Sequence, residues 1–406
     1  MSGDLPSGWR EAQLGEVARI VTGKTPSTKE PRYWGGDIPF VTPSDITDSP
    51  WLRQVERHVS SDGMRYSSVV PAGSVLFTCI ASIGKSCITR EVSTLNQQIN
   101  ACVPSAKVDA YFLYNALQAR VGDMLDLAGT TAVPIINKTT FSKVAVKLPP
   151  LDEQRRIAEV LRSVDEAIAL SKKTVEQVEN ASRGLLQRLF VEGLGHSDFK
   201  EGYSSQIPAS WKEMSLSELS AIPITYGVVQ PGPNVPNGIR FIRGGDFPGG
   251  KIDLGALRTI SPELASQYRR TQLEGGEVLV SLVGYPGACA VVPKELAGAN
   301  VNRAVAVMRP TQAVTSAYLY HFISSPVAQV RLKKETIGSA QQVINLRDLK
   351  GVIVPVPPKH EQEQIAAILG DLDDFAELEQ LSLDKLTTLR ASIAADLLSG
   401  RVRVPA

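Results

Sequence analysis

The hydrophobic positions along the chain follow two patterns, and each pattern occurs twice. Over residues 1–150, short apolar runs such as 38–42 and 74–78 alternate with stretches rich in Gly, Pro, Ser and Thr. Such runs, bounded by turn residues, predict short strands in a loop-rich domain. From Ile157 the apolar residues recur instead at alternating steps of four and three, which predicts a long helix with one narrow apolar stripe.

The predicted helix follows Pro149 and Pro150, with Asp152 as its expected N-cap. A lone amphipathic helix on a globular surface would not need so regular a stripe, so we expect it to pack against a second helix. A similar helix follows Pro357 and Pro358. We predict an antiparallel coiled coil of the two. Its predicted seam residues are Ile157, Leu161, Val164, Ile168, Val175, Val178, Leu185 and Leu189 in the first helix, and Ile365, Leu369, Leu372, Leu383, Leu386, Ile393 and Leu397 in the second.

Comparison of the sequence with itself indicates an internal duplication. The segment PSGWREAQLGEV from Pro6 resembles PASWKEMSLSEL from Pro208, and AYFLYNAL from Ala110 resembles AYLYHFIS from Ala317. The segment from Val133 through the double proline likewise resembles the one from Gln341. A repeat this long indicates two homologous halves and not a solenoid.

The expected fold class is therefore α+β, with two mixed α/β domains at 1–150 and 201–358 and two helical segments at 151–200 and 359–406. Antiparallel pairing of the helices would hold the two globular domains apart on a two-helix spacer, with the halves related by a pseudo-twofold axis. A length of 406 residues agrees with more than one domain.

Composition narrows the function classes. No run approaches the roughly 18 apolar residues of a membrane span, and the N-terminal residues do not resemble a signal peptide, so we expect a cytoplasmic protein. Four scattered cysteines suit a reducing compartment, and no His or Cys spacing predicts a metal site.

The net charge of +1 hides an uneven distribution. Residues 1–150 carry 15 Lys and Arg against 13 Asp and Glu, and residues 207–358 carry 15 against 10. Residues 151–200 carry 8 against 9, and residues 359–406 carry 5 against 9. Basic domains and acidic helices favour phosphate contacts by the domains, although ordinary surface variation would also produce differences of this size.

Catalytic motifs are not recognisable. Gly23–Lys24–Thr25 and Gly84–Lys85–Ser86 resemble the end of a phosphate-binding loop, but Ala18 and Cys79 stand where its first glycine is needed. No methyltransferase pocket, nuclease acid cluster or hydrolase elbow is apparent. We therefore expect no catalysis by this chain, no metal and no cofactor of its own.

Polar loop residues remain as candidate readers of DNA. Amides suit adenine edges, basic side chains suit guanine and phosphate, and carboxylates suit the cytosine amino group, although many such residues also cap turns. The candidates in the first half are Lys24, Thr25, Ser27, Lys29, Tyr33, Thr42, Ser44, Asp45, Ser82, Lys85, Asn96, Gln97 and Gln98. The candidates in the second half are Tyr226, Gln230, Arg240, Arg243, Asp246, Tyr285, Asn302 and Arg303.

The Gly–Trp motif near the start, the strand–Pro–Pro–x–x–Glu–Gln junctions at Glu153 and Glu361, the heptad helices and the duplication resemble the specificity subunit of a Type I restriction–modification enzyme. The resemblance covers essentially the whole chain. One departure is that the second half has Ile224–Thr225–Tyr226–Gly227 in place of the Gly23–Lys24–Thr25 run.

The resemblance implies two target-recognition domains that each read one half of a split, double-stranded DNA target, with helices that fix the spacing. It also implies a non-catalytic subunit that recruits two methyltransferase subunits, which use S-adenosylmethionine, and that works with restriction subunits in the complete enzyme. The acidic helices would be the docking surface for the methyltransferases.

Two other functions stay open at this point. The chain could be a coiled-coil adaptor whose domains bind a protein or a glycan. It could also be a DNA-modifying enzyme that acts alone, which would require methyl transfer without a partner.

Overall fold

The computed structural model describes residues 5–128, 134–203, 205–334 and 343–404. The chain divides into two compact units, Met1–Lys172 with Leu381–Ala406, and Lys173–Gln380. Both long helices contribute to both units. We call these the first and the second unit.

The first unit is a set of small sheets with short helices around them. Its strands are β1 (Arg10–Gln13), β2 (Ala18–Thr22), β3 (Trp34–Val41), β4 (Arg57–Val59), β5 (Ser68–Val70), β6 (Val75–Thr78), β7 (Ser86–Ile88), β8 (Ser93–Leu95), β9 (Ile99–Pro104) and β10 (Ala145–Leu148). Its helices are α1 (Leu14–Val17), α2 (Ser61–Met64), α3 (Ala110–Gln118), α4 (Val121–Leu127), α5 (Lys138–Ser142) and the first part of α6 (Leu151–Leu189).

The second unit repeats this plan with an added hairpin at its start. Its strands are β11 (Phe199–Glu201), β12 (Gln206–Pro208), β13 (Lys212–Ser215), β14 (Thr225–Tyr226), β15 (Ile239–Ile242), β16 (Arg258–Ile260), β17 (Val278–Ser281), β18 (Cys289–Val291), β19 (Asn300–Val301), β20 (Val305–Met308) and β21 (Ile353–Val356). Its helices are α7 (Pro262–Gln267), α8 (Ser316–Ser324), α9 (Pro326–Lys334), α10 (Leu346–Gly351) and α11 (Lys359–Ser399), of which α11 continues into the first unit.

The sheet orders establish the repeat. A sheet β2-β9-β6-β7 in the first unit matches β14-β20-β17-β18 in the second, and β4-β3-β8 matches β16-β15-β19. The pairs β3–β8 and β15–β19 are parallel, whereas β1–β10 and β13–β21 are antiparallel. The predicted internal duplication and the α+β class are confirmed.

Local sequence explains where the helices begin. The N-caps Asp109 of α3 and Thr315 of α8 accept hydrogen bonds from the main chain three residues later, as do Asn137 of α5 and Asn345 of α10. Because Asp109 and Thr315 are equivalent caps, Ala110 corresponds to Ser316. The sequence comparison, which aligned Ala110 with Ala317, is therefore one residue out of register. The helix α6 begins at Leu151, so Asp152 lies in its first turn and not at the N-cap, which corrects that prediction.

The long helices contribute to one large hydrophobic cluster in each unit. Ile157 and Leu161 of α6 share the core of the first unit with Ala394 and Leu397 of α11. Leu189 of α6, at its other end, shares the core of the second unit with Ile365 and Leu369 of α11. The start of one helix therefore packs with the end of the other, which makes the pair antiparallel, as predicted.

Candidate nucleic-acid interface

Four segments meet at one edge of the sheets in the first unit, and we call them the first loop edge. They are residues 23–25, 42–45, 79–85 and 96–98. Three main-chain hydrogen bonds join them: Lys24 N to Leu95 O (2.9 Å), Asn96 N to Val41 O (2.9 Å) and Cys79 N to Gln98 O (2.8 Å). Main-chain groups paired in this way fix the loops relative to one another.

The second unit has the same arrangement, which we call the second loop edge. It consists of residues 227–229, 243–246, 282–288 and 302–304. The matching hydrogen bonds run from Val228 N to Val301 O (2.8 Å), from Asn302 N to Ile242 O (2.9 Å) and from Leu282 N to Ala304 O (2.7 Å). The two edges therefore share one main-chain frame.

A glycine is required at the same place in both edges. A Cβ on Gly23 would lie 1.9 Å from the carbonyl oxygen of Asn96, and a Cβ on Gly227 would lie 1.9 Å from that of Val301. The structure thus aligns Gly23 with Gly227 and Lys24 with Val228. From the sequence we placed Ile224–Thr225–Tyr226–Gly227 opposite Gly23–Lys24–Thr25. That alignment is wrong, because only Gly227 of this segment corresponds to a residue of the Gly23 run.

Several predicted DNA-binding residues hold the frame itself. Asp45 accepts hydrogen bonds from the main-chain nitrogen and the hydroxyl of Thr42, both at 2.7 Å. At the same turn of the second edge, Asp246 accepts from Arg243 N at 2.8 Å and from the Arg243 guanidinium. Both carboxylates therefore stabilise a turn, and their oxygens are engaged within the chain.

The predicted amides are also engaged. Asn96 Oδ1 accepts from Gln98 N (2.8 Å), and Asn302 Oδ1 accepts from Ala304 N (2.6 Å), so the two asparagines close equivalent turns. The side chain of Gln97 is hydrogen-bonded to the hydroxyl of Thr25.

Three further candidates lie apart from the loop edges. Tyr33 is buried and its ring lies 4.7 Å from that of Tyr66, which leaves little of it for a ligand. The main-chain carbonyl oxygen of Ser27 accepts a hydrogen bond from the indole N–H of Trp34. Arg240 lies on strand β15 and donates to the carbonyl of Glu295, which precedes β19.

The remaining candidates are exposed or largely so. In the first unit they are Lys24, Lys29, Ser44, Ser82 and Lys85, and in the second unit Tyr226, Gln230, Tyr285 and Arg303.

The structure adds one cationic group that the sequence did not single out. The guanidinium of Arg57 lies 3.8 Å from the centroid of the Trp34 ring, and both line an open groove with Gly35, Gly36 and His58. Stacking on an aromatic face holds the guanidinium in place. Trp34 and Arg57 lie on different strands, and no local sequence pattern signals this contact.

The Gly–Trp motif and the Pro–Pro–x–x–Glu–Gln junction form one contact in each unit. The indole nitrogen of Trp9 donates to Glu153 (3.1 Å), and that of Trp211 donates to Glu361 (3.0 Å). Both carboxylates are buried. We call these contacts the first and second clasps.

The glutamine that follows each clasp glutamate makes three hydrogen bonds to the main chain. Gln154 accepts from Asp109 N and donates to the carbonyls of Lys107 and Pro149, at 3.0, 3.2 and 2.9 Å. Gln362 accepts from Thr315 N and donates to the carbonyls of Ala313 and Pro357, at 2.9, 2.8 and 2.9 Å. This repeated network explains why the motif accompanies a strand-to-helix junction.

The clasps differ in the basic side chain that faces the carboxylate. Arg403 donates two hydrogen bonds to Glu153, one of them at 2.7 Å, and the hydrogen bond from Arg403 is the main cause that lowers the pKa of Glu153. In the second clasp His196 Nε2 lies 2.7 Å from Glu361 Oε1, and Leu194 N also donates to that oxygen. Arg403 and His196 each follow the end of a long helix, and short sequence patterns do not reveal such long-range contacts.

The predicted seam residues all lie on the covered side of their helices. Seven of the fifteen are buried and the others are half-buried. The buried ones are Ile157, Leu161, Leu189, Ile365, Leu369, Leu383 and Leu397. By contrast, Leu170 on the same helix is 67% exposed.

Arg390 of α11 lies between the seam residues Leu386 and Ile393, where the heptad pattern lacks an apolar residue. It makes an ion pair with Asp165 (2.9 Å). Tyr111 donates to the same carboxylate at 2.8 Å, and Arg390 also donates to Asn115. These bonds join α3, α6 and α11 within the first unit. In the second unit, His321 stands in place of Asn115 and faces Asp373 at 3.7 Å, and burial lowers its pKa to about 4.

The family model described as the Type I restriction modification DNA specificity domain matches this chain twice, over residues 6–180 and 208–388. The chain belongs to this family. Each match begins close to the tryptophan of a clasp and continues into a long helix.

Members of the specificity family align with the chain over almost its whole length. The Type I restriction enzyme EcoBI specificity subunit of Escherichia coli is 26% identical over 98% of this chain and 87% of its own length. The MjaVIII specificity subunit of Methanocaldococcus jannaschii is 21% identical over 98% of this chain and 94% of its own.

Solved structures agree with the fold. The S subunit of a Type I restriction–modification system from M. genitalium superposes with a TM-score of 0.61 at 14% identity, covering 98% of both chains. A chain from a structure that addresses complex assembly and conformational transition of the type I R-M system gives 0.60 at 18% identity, covering 98% of this chain and 100% of the other. At these identities the likeness concerns the fold.

Across the described ranges, no three or more His, Cys, Asp or Glu side chains are grouped as metal ligands. The helices of those ranges include none with the length and apolarity to cross a membrane.

Proposed function

We propose that this chain is the non-catalytic DNA-recognition subunit of a Type I restriction–modification complex, and that each unit reads one half of a bipartite target. The observation that carries the proposal is the common frame of the two loop edges with different side chains on it. Lys24 of the first edge corresponds to Val228, Gln97 to Arg303, and Ser82 to Tyr285. A duplicated reader with exchanged side chains suits two different half-sites.

The target-recognition domains in this proposal are residues 1–150 and 201–358. Exposed cations at or near their loop edges, such as Lys24, Lys85 and Arg303, contact phosphates or guanine. Residues whose side chains bond within the frame, such as Asp45 and Asn96, orient the loops. They contact bases only through side-chain oxygens or amide hydrogens that are not used in those internal bonds.

The helical segments 151–200 and 359–406 set the spacing of the half-sites and dock two methyltransferase subunits. On α11, Phe375 and Leu378 are exposed among acidic residues such as Asp371 and Asp374. A partner with a basic and apolar surface would cover this face.

S-adenosylmethionine is bound by the methyltransferase, and restriction subunits join the complete enzyme. Its substrate is cellular DNA, so we assign the complex to the cytoplasm.

Base-modification sequencing of DNA from cells that carry the chain and its methyltransferase tests the proposal. We expect methylated adenines in a split sequence. Replacing residues 1–150 with the corresponding domain of another specificity subunit should change one half of that sequence only. A change in both halves, or in neither, would contradict the proposal.

The spacer function has its own test. One heptad adds about 10.5 Å of helix, which is close to three base pairs. Inserting a heptad into α6 and another at the facing part of α11 should lengthen the unspecified gap by about three base pairs. An unchanged gap would show that the helices do not set the spacing.

A salt titration separates DNA reading from the adaptor alternative. Phosphate contacts make DNA affinity fall steeply with salt. An assembled complex whose DNA binding is absent, or insensitive to salt, would favour protein- or glycan-binding domains.

A further inference from the structure

The turn between β6 and β7 and the turn between β17 and β18 have the same internal bonding. Each turn is closed by two main-chain hydrogen bonds between residues at its ends. In the first unit these are Gly84 N to Thr78 O (3.2 Å) and Thr78 N to Lys85 O (2.9 Å), and in the second Gly287 N to Ser281 O (2.9 Å) and Ser281 N to Ala288 O (2.7 Å). The turns are therefore held in a fixed shape at the centre of each loop edge.

Each turn contains a residue in the left-handed region just before its tip. Ala81 has φ of +62° and Gly284 has φ of +86°. This conformation is unfavourable for alanine, and in the first unit the Ala81 N–H is held by the carbonyl of Pro134 at 3.1 Å. The residue that follows, Ser82 or Tyr285, is exposed at the tip.

Tyr285 lies against Gly245, the second of two consecutive glycines. A Cβ on Gly245 would approach a ring carbon of Tyr285 to 3.2 Å, and a Cβ on Gly244 would approach Ser281 Oγ to 2.6 Å. The turn that ends at Asp45 has Pro43 and Ser44 at these positions, and the tip above it is Ser82. Gly245 of the second unit thus leaves space for the large tip residue, and a side chain at Gly244 would collide with the turn that carries it.

The surroundings of Tyr285 are apolar and open. Its side chain is 66% exposed. Val283 of the same turn and Val343, which pairs with it in an isolated β-bridge, are 36% and 41% exposed. Exposed apolar groups at a DNA-facing edge match the C5-methyl group of thymine, the one apolar feature that bases present in the major groove.

We propose that Tyr285 determines specificity in the half-site read by the second unit, by packing its ring on the C5-methyl of a thymine, with Gly245 as its support. This inference rests on the proposed function. Ser82 is the corresponding position for the first half-site, where a small polar side chain selects a different contact.

The test uses the assembled complex of the full chain and its methyltransferase, with duplexes that carry the target found by base-modification sequencing. Each thymine of the second half-site is replaced singly by deoxyuracil, which removes only the methyl group. At one position we expect the affinity of the unaltered chain to fall about fivefold, the lower end of what one lost base contact costs.

Three variants test whether the ring of Tyr285 causes that loss of affinity. Tyr285→Ala should bind the thymine duplex about fivefold more weakly and show no further loss with deoxyuracil. Tyr285→Phe should keep the methyl effect, because it keeps the ring. Tyr203→Ala is the matched control, since Tyr203 is an equally exposed tyrosine of the second unit outside its loop edge, and it should behave like the unaltered chain.

The inference is overturned if Tyr285→Ala retains the affinity and the methyl effect, if no deoxyuracil substitution has an effect, or if the second half-site contains no A·T pair. The proposed function fails separately, when the unaltered complex methylates no bipartite sequence.

Discussion

The first and second units share a main chain and differ in the side chains it carries. In both, a buried glutamate accepts an indole N–H at the start of a long helix, and the glutamine beside it makes three hydrogen bonds. The basic side chain that pairs with the glutamate is Arg403 in one unit and His196 in the other. The comparison teaches that the shared motif maintains the junction, whereas positions outside it are free to diverge.

Removal of the clasp carboxylate should have the largest effect on this comparison. Glu153→Ala leaves the buried indole N–H of Trp9 without an acceptor and removes the carboxylate that pairs with Arg403, which keeps only its hydrogen bond to the carbonyl of Ser7. We therefore expect the first unit to lose about 3 kcal/mol, mainly through the unsatisfied indole. Glu361→Ala should destabilise the second unit somewhat less, because its partner His196 does not carry the permanent charge of a guanidinium.

Hydrogen–deuterium exchange of peptides from each unit measures the local free energy of opening. The exposed Glu159 lies nearly two helical turns beyond Glu153 on the same helix, and Glu159→Ala should change little. Equal losses in both units for either clasp variant would contradict the assignment of one clasp to one unit.

The glutamines should give a smaller and symmetric effect. Gln154→Ala and Gln362→Ala each remove three hydrogen bonds to the main chain, and we expect about 2 kcal/mol for either variant in its own unit. The same exchange experiment checks this. A clear difference between the two variants would show that the matching bonds are not equivalent in energy.

Acidification should weaken the first clasp by a smaller amount. The pKa of Glu153 is held below its ordinary value of 4.5 mainly by the hydrogen bond from Arg403. The stability that this shift contributes is complete above pH 4.5 and is lost as the pH falls through the lowered pKa. Opening of the first unit should become easier below that pH, and Glu153→Gln should show a flatter profile. An identical acid response in the variant would exclude Glu153 as the cause.

Lys251 should have the smallest effect. It pairs with Glu377 of α11, but both side chains are more than half exposed. We expect Lys251→Ala to cost under about 0.5 kcal/mol, since water and salt screen such pairs. Urea unfolding measures the change in the free energy of unfolding. A loss comparable to that of the clasp variants would show that this contact contributes more to the stability of the second unit than its exposure indicates.

The elements that could be predicted from the sequence are those with a local period or a repeated segment. The heptad stripe gave the antiparallel helices, and the duplication gave two matching α/β units. The basic partners of the clasp carboxylates could not be predicted, because Arg403, for example, lies 250 residues from Glu153. Asp45 and Asp246 show the limit for the candidate site, since a turn-capping carboxylate and a base-reading one have the same sequence pattern.

The cross-links of the loop edges have a consequence for how such a protein changes over generations. They join main-chain atoms, which every residue except proline supplies in full, so a substitution at an exposed loop position leaves them intact. Surface changes of this kind usually cost under about 0.5 kcal/mol. New binding preferences can therefore accumulate by point mutation without exhausting the narrow margin that keeps the chain folded.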